Sequence, residues 1–159
     1  MIQHEIAGLP DLKLIETNGL LRLMKPLKLC IKEIEGNGHC LYSSLSHQIN
    51  YLGIQFPNLP VPVDYLSLRK MAAEFMRSNA DNYIFFLTTS DGDLLDNIGY
   101  LEYCRKLEFE AEWGGQVEIK AISDALNIQI NVLQVGTGLL EIGKEYTSKQ
   151  PLFVSYHRV

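Results

Sequence analysis

Residues 36–49 read GNGHCLYSSLSHQI, a glycine-punctuated loop that delivers Cys40 to the first turn of an amphipathic helix. After the cysteine, Leu41, Leu45, Ile49 and Leu52 recur at helical spacing and Gly53 is a natural stop. The spacing predicts a core helix whose N-terminus opens on a surface cleft. A cysteine in that place sits beside unpaired backbone N–H groups and the positive end of the helix dipole, which favour the thiolate over the thiol. The preceding Gly36, Asn37, Gly38 and His39 can turn several N–H groups toward one point, the arrangement that holds an oxyanion during acyl transfer. Nucleophile and oxyanion donors thus share one turn.

Downstream, residues 55–63, QFPNLPVPV, hold three prolines and read as a loop between helices. Leu68, Met71, Ala72, Phe75 and Met76 then form a helical stripe of core residues, with Asp64 as the cap. Residues 88–97, TTSDGDLLDN, are polar and turn-rich. A helix is predicted over residues 98–112, broken by Trp113, Gly114 and Gly115, followed by another from Gln116 to Leu126. Trp113 reads as a core residue. From Asn127 the period changes to two: Ile128, Ile130 and Val132 alternate with Gln129 and Asn131, a strand with one wet face, and Leu152 to Tyr156 reads as a second. Between them VGTGLLEIG reads as a turn signal. Helices with a late set of strands predict an α+β, papain-like arrangement, a small central β-sheet flanked by helices.

Upstream of the loop, Leu27, Leu29, Ile31 and Ile34 read as an extended segment running into it. Residues 9–24 are leucine-rich, and Asn18 and Gly19 are expected to interrupt any helix there.

The composition excludes several classes. A chain of 159 residues with 47% hydrophobic and 21% charged content is sized for one domain with its own core. The net charge of −5 disfavours nucleic acid as a partner, because phosphate binding calls for basic patches. Residues 91–112 carry seven acids against Arg105 and Lys106, a solvated face or an acidic rim for a basic partner. No apolar span of ~20 residues is present, and MIQHEIAGLPDL lacks a basic segment followed by an apolar one, so no membrane association and a cytoplasmic or nuclear location are expected. Cys30, Cys40 and Cys104 form no CxxC pair, which argues against zinc or a disulfide framework. Cys30 and Cys104 read as buried apolar fillers, and no metal or cofactor is expected.

Two blocks carry a family resemblance. NGHCLYSSL resembles the DGxCLFxxL or DGHCxYxxL nucleophile motif of the ovarian-tumour (OTU) deubiquitinases. AEWGGQVEIKAISDALNIQINVLQ, residues 111–134, is similar to that family's WGGxxELxALSxxxxxxIxIxx segment, at a matching distance downstream. With the EYTSKQPLFVSYHR tail the resemblance runs from about Leu27 to the end, most like the subgroup called OTU domain-containing protein 6. It implies a helical lead-in over residues 1–27, and a catalytic domain over 28–159 that is incomplete at its C-terminus. It implies an OTU fold with Cys40 as the nucleophile that attacks the terminal glycine of ubiquitin, on ubiquitinated proteins, through a thioester. The backbones of Gly38 and His39 would serve the oxyanion, and Asn37 stands where the family has a catalytic Asp. An Asn there can hydrogen-bond but cannot supply charge. The WGG turn would pack beside the cysteine, making Trp113, Gly114 and Gly115 substrate-binding, and the 88–97 loop would face ubiquitin.

A thiol nucleophile needs a base, most often histidine. Of the four histidines, His39 adjoins Cys40 and points elsewhere, and His47 lies ~10 Å along the same helix at 1.5 Å per residue. His4 reads as a tail residue, leaving His157 at the end of the last strand. The resemblance instead implies a histidine in an HYN segment following the last residue here. The alternative function is a catalytically impaired ubiquitin-binding module.

Overall fold

In the computed structural model, which describes residues 12–27, 38–134 and 138–156, a three-stranded sheet lies between helices on both faces. Helix α1 spans Leu12–Met24, followed by a 3-10 turn at Lys25–Leu27. Helix α2 is Cys40–Leu52, α3 Tyr65–Ser78, the short α4 Ala80–Tyr83, α5 Asn97–Phe109 and α6 Gln116–Leu126. Strands β1 (Ile130–Gln134), β2 (Gly138–Ile142) and β3 (Leu152–Tyr156) form the sheet in the order β2-β1-β3. Strand β2 runs antiparallel and β3 parallel to β1. The expected α+β class holds.

The helix ends follow local chemistry. Asp64 accepts from the Ser67 N–H at 2.7 Å to start α3, and Asp96 accepts from the Gly99 N–H at 2.7 Å to start α5. Glu118 reaches back to the Gly115 N–H at 2.7 Å to start α6, and Gly53 at φ 70° closes α2 in the left-handed conformation. The predicted stripe of α3 is core: Leu68, Met71, Ala72 and Met76 are buried. They meet Leu45 and Ile49 of α2, Tyr100 and Leu107 of α5, Ile122 of α6, and Ile130 and Val132 of β1 in one cluster. Cys104 is buried there too, as expected, and the residues of the 55–63 loop form no helix or strand.

Four expectations need correction. Gly19 does not interrupt α1, which is continuous. A helical glycine costs about 1 kcal/mol relative to alanine. Burying the neighbouring Leu20 fully, with Met24 against Leu133, outweighs this at roughly 1.5–3 kcal/mol per side chain. The same packing removes the wet face of β1: Asn131 is 4% exposed, because β1 is the central strand and α1 lies over its second face. The VGTGLLEIG stretch contains not only a turn but β2, whose Leu139 and Leu140 pair with Leu133 and Val132. Helix α5 stops at Phe109 rather than 112, giving way to an extended strap over residues 110–115. The extended segment expected through Leu29, Ile31 and Ile34, with Cys30, lies outside the described residues, whereas Leu27 ends the 3-10 turn.

Gln48 ties α2 to the sheet. Its side-chain carbonyl accepts from the Phe153 N–H, and its amide donates to the Phe153 carbonyl. Leu152 bonds toward β1 through Gln129, so Gln48 occupies the opposite, outer edge of β3.

Candidate active site

Cys40 is the first residue of α2 and is partly exposed. Before it, His39 gives up its carbonyl to the Ser43 N–H at 2.9 Å, and its half-buried ring lies 4.8 Å from that of Tyr65. The Cys40 carbonyl accepts from the Ser44 hydroxyl at 2.7 Å. The thiol thus stands at the mouth of a helix whose first turn is fixed on both sides.

Two glycines bring the strap against this turn. A Cβ on the buried Gly38 would lie 1.9 Å from the Ala111 carbonyl oxygen, so only glycine lets the backbones meet there. A Cβ on Gly114 would lie 2.4 Å from Leu41 Cδ2. The WGG turn therefore packs beside the cysteine, as the sequence resemblance implied, through the residue that follows it.

Behind the turn lies a buried charge that sequence reading missed. Arg69 of α3 is 1% exposed. Its Nη1 donates to the carbonyls of Leu107 (2.6 Å) and Glu110 (2.9 Å), and its Nη2 to those of Gly38 (2.6 Å) and Glu112 (2.8 Å). The guanidinium also lies 4.3 Å from the centre of the Tyr42 ring. A buried cation is tolerable only when its charge is compensated, and four carbonyl dipoles take the four Nη protons here, while the buried Nε has no hydrogen-bond partner among the described residues. These bonds draw the carbonyls of Leu107, Glu110 and Glu112 onto one side chain and explain why α5 ends early. A signal existed: position 69 precedes Ala72, Ala73 and Met76 by three, four and seven residues, on the buried face of α3.

Glu118 is the second missed residue. It is 2% exposed and accepts from the Tyr103 hydroxyl at 2.7 Å as well as from Gly115. Burial pushes its carboxyl above the usual carboxylate range, against the lowering pull of Tyr103, the Gly115 N–H and Arg69.

Trp113 corrects the core assignment: it is 62% exposed. The strap turns backbone inward, with the Glu110 and Glu112 carbonyls on Arg69 and Gly114 on Leu41, which leaves the indole outside. It borders a pocket of about 300 Å³ with Tyr103, Lys106, Leu107 and Glu112. His47 is exposed and stacks on Tyr51 at 6.4 Å. Asn37, His4 and His157 lie outside the described residues. Of the seven acids in residues 91–112, Glu102 and Glu110 pair with Arg105 and Glu108 with Arg77, whereas Asp91 and Asp93 are exposed. No described helix is long and apolar enough to cross a membrane.

Comparison with known proteins agrees with this geometry. Residues 35–159 match the family model described as OTU-like cysteine protease. The deubiquitinase OTUD6B of Xenopus tropicalis is 33% identical over 148 residues, which are 92% of this chain and 48% of that protein. Its Homo sapiens counterpart is 30% identical over 157 residues, 98% of this chain and 51% of that protein. The chain thus spans about half the length of the curated relatives it matches. Among solved structures, the OTU domain of OTUD1 superposes with a TM-score of 0.62 at 18% identity, covering 92% of this chain and 91% of that one. An OTU domain solved in complex with ubiquitin gives a TM-score of 0.52 at 18% identity, covering 78% and 60%.

Proposed function

Because the chain belongs to the OTU-like cysteine protease family, we propose that it is a thiol-dependent deubiquitinase, hydrolysing the bond after the C-terminal glycine of ubiquitin. The observation that carries this reading is the placement of Cys40, a partly exposed thiol on the first residue of a core helix, with a glycine strap packed against its turn. The relatives named deubiquitinases and the neighbour solved with ubiquitin support the choice of substrate.

In the reaction, Cys40 Sγ forms a bond to the glycine carbonyl carbon. Backbone N–H groups of residues 37–40 hold the resulting oxyanion. Collapse of the tetrahedral species breaks the bond to the lysine nitrogen, which leaves as an amine after taking a proton from a histidine acting as general acid. Water then cleaves the thioester and restores the thiol. That histidine is assigned outside the described residues: His157, or one supplied by a longer protein of the relatives' length. His39 packs on Tyr65 and His47 on Tyr51, which suits neither for the role.

Asn37 is assigned to polarise the oxyanion or orient the imidazole by hydrogen bonding. Gly114 packs on Leu41, the residue after Cys40, and Trp113, Gly114 and Gly115 are assigned to receive the slender diglycine tail, with the exposed indole as an apolar rail. Exposed Asp91 and Asp93 suit a partner whose tail carries arginines. A reducing cytoplasmic or nuclear setting fits the free Cys40 and Cys104.

Release of monoubiquitin from isopeptide-linked diubiquitin tests the proposal. The protein should cleave it and Cys40→Ala should not. Ubiquitin binding without cleavage, at stoichiometric enzyme and in the full-length protein, would make it a binding module instead.

A further inference from the structure

Arg69 spends its whole fork of Nη protons on main-chain carbonyls, and one belongs to the residue two before the nucleophile. The consequence is geometric. In a trans peptide the C=O and N–H point in opposite directions. Drawing the Gly38 oxygen inward to 2.6 Å from Nη2 therefore turns the N–H of the next residue, His39, away from the buried guanidinium. The same guanidinium nitrogen holds the Glu112 carbonyl at 2.8 Å, one residue before Trp113. One buried side chain therefore sets both the peptide plane beside the nucleophile and the strap that borders it.

We propose that Arg69 is a positioning residue for acyl transfer, which fixes the Gly38–His39 peptide so that its N–H faces the developing oxyanion. This rests on the cysteine-peptidase reading above. The arrangement asks for arginine in particular. Two Nη atoms serve four acceptors from two separate segments, while the flat face lies over Tyr42. A lysine keeps the charge but offers one nitrogen with three protons, so it cannot hold Gly38 and the strap in the same way. Preorganised oxyanion donors act on the transition state and not on substrate binding, so the effect belongs in kcat.

The test compares wild type, Arg69→Lys, Arg69→Gln and Arg69→Met with a fluorogenic C-terminal ubiquitin amide, in the full-length protein. Each variant is first checked for a cooperative melt. In parallel, Cys40 is alkylated with iodoacetamide, a reaction that forms no oxyanion. For the folded variants kcat is expected to fall about tenfold to a hundredfold, with Lys the mildest, while KM and the alkylation rate stay within about twofold.

An unchanged kcat in a folded variant overturns the role of Arg69 while leaving the enzyme reading intact. A proportional loss of alkylation and turnover overturns it also, because the thiol itself would then be displaced. If every variant loses its cooperative melt, Arg69 is a structural residue only. A wild-type protein that turns over no substrate removes the enzyme reading and this role together.

Discussion

Gly38 and Gly114 differ in what a methyl group would strike. On Gly38 it meets the carbonyl of Ala111 at 1.9 Å, and that backbone is anchored through Glu110 and Glu112 to Arg69. On Gly114 it meets Leu41 Cδ2 at 2.4 Å, the far end of a side chain, with Leu41 Cβ and Cγ at 3.2 and 3.3 Å. Backbone yields less than a rotamer, so Gly38→Ala should be the more damaging change. Overpacking costs about 1–3 kcal/mol, and Gly38→Ala is expected at the upper end with Gly114→Ala below it. Urea unfolding of the two variants reads the order directly, and the reverse order would contradict the packing described. Glu118 supplies a pH signature at the same scale. Its carboxyl is raised by burial, so the folded chain holds that proton more tightly than the unfolded chain. The stability this gives is present below the ordinary carboxylate value, about 4.3, and is lost as pH rises through the raised value. Wild type should therefore lose stability relative to Glu118→Gln across that window, and the difference should level off above it. Unfolding free energies at a series of pH values check the slope; a difference that moves the other way would contradict the assignment.

At the scale of elements, the join between α2 and β3 rests on Gln48, which meets both polar groups of Phe153 as a neighbouring strand would. Gln48→Ala should cost about 1–3 kcal/mol, because it leaves partly buried backbone groups without their partner. A companion change at exposed Tyr51 on the same helix should be nearly neutral. Chemical denaturation distinguishes the two, and equal effects would mean that the bonds to Phe153 contribute little. These elements were unequally legible. Helices α2, α3 and α6 announce themselves because one face of each is apolar at a period near 3.6 and a cap or glycine marks an end, as Asp64 and Gly53 do. Helix α1 and strand β2 do not. Gly19 argues locally against the first, and the glycines around Leu139 argue for a turn in the second. Each is decided by its partner, Leu133 for α1 and β1 for β2, which no local pattern contains.

Over the whole molecule, the order of nucleophile loop, WGG strap and late strands placed the chain in its family, and the site follows the same division between visible and hidden. Cys40, Gly38 and Gly114 carried signals because small or reactive residues stand out against their neighbours. Arg69 did not, since a charge on a helix is ordinarily read as solvated, and only its place on the α3 stripe marked it as buried. Trp113 erred the other way: a lone tryptophan reads as core, yet here the strap backbone takes the inner place. The parts cooperate through geometry. Helix α3 carries the guanidinium, α5 and the strap give it carbonyls, and the loop before α2 gives it Gly38, so the turn that carries Cys40 is held by segments distant in sequence. Whether Cys40 is the reactive thiol is read most plainly from reaction of the full-length protein with ubiquitin bearing a C-terminal electrophile, followed by peptide mapping. One equivalent of ubiquitin should add, at Cys40 and not at buried Cys104, and Cys40→Ala should give no adduct. A wild-type protein that remains unmodified, or an adduct on another residue, would contradict that role for Cys40.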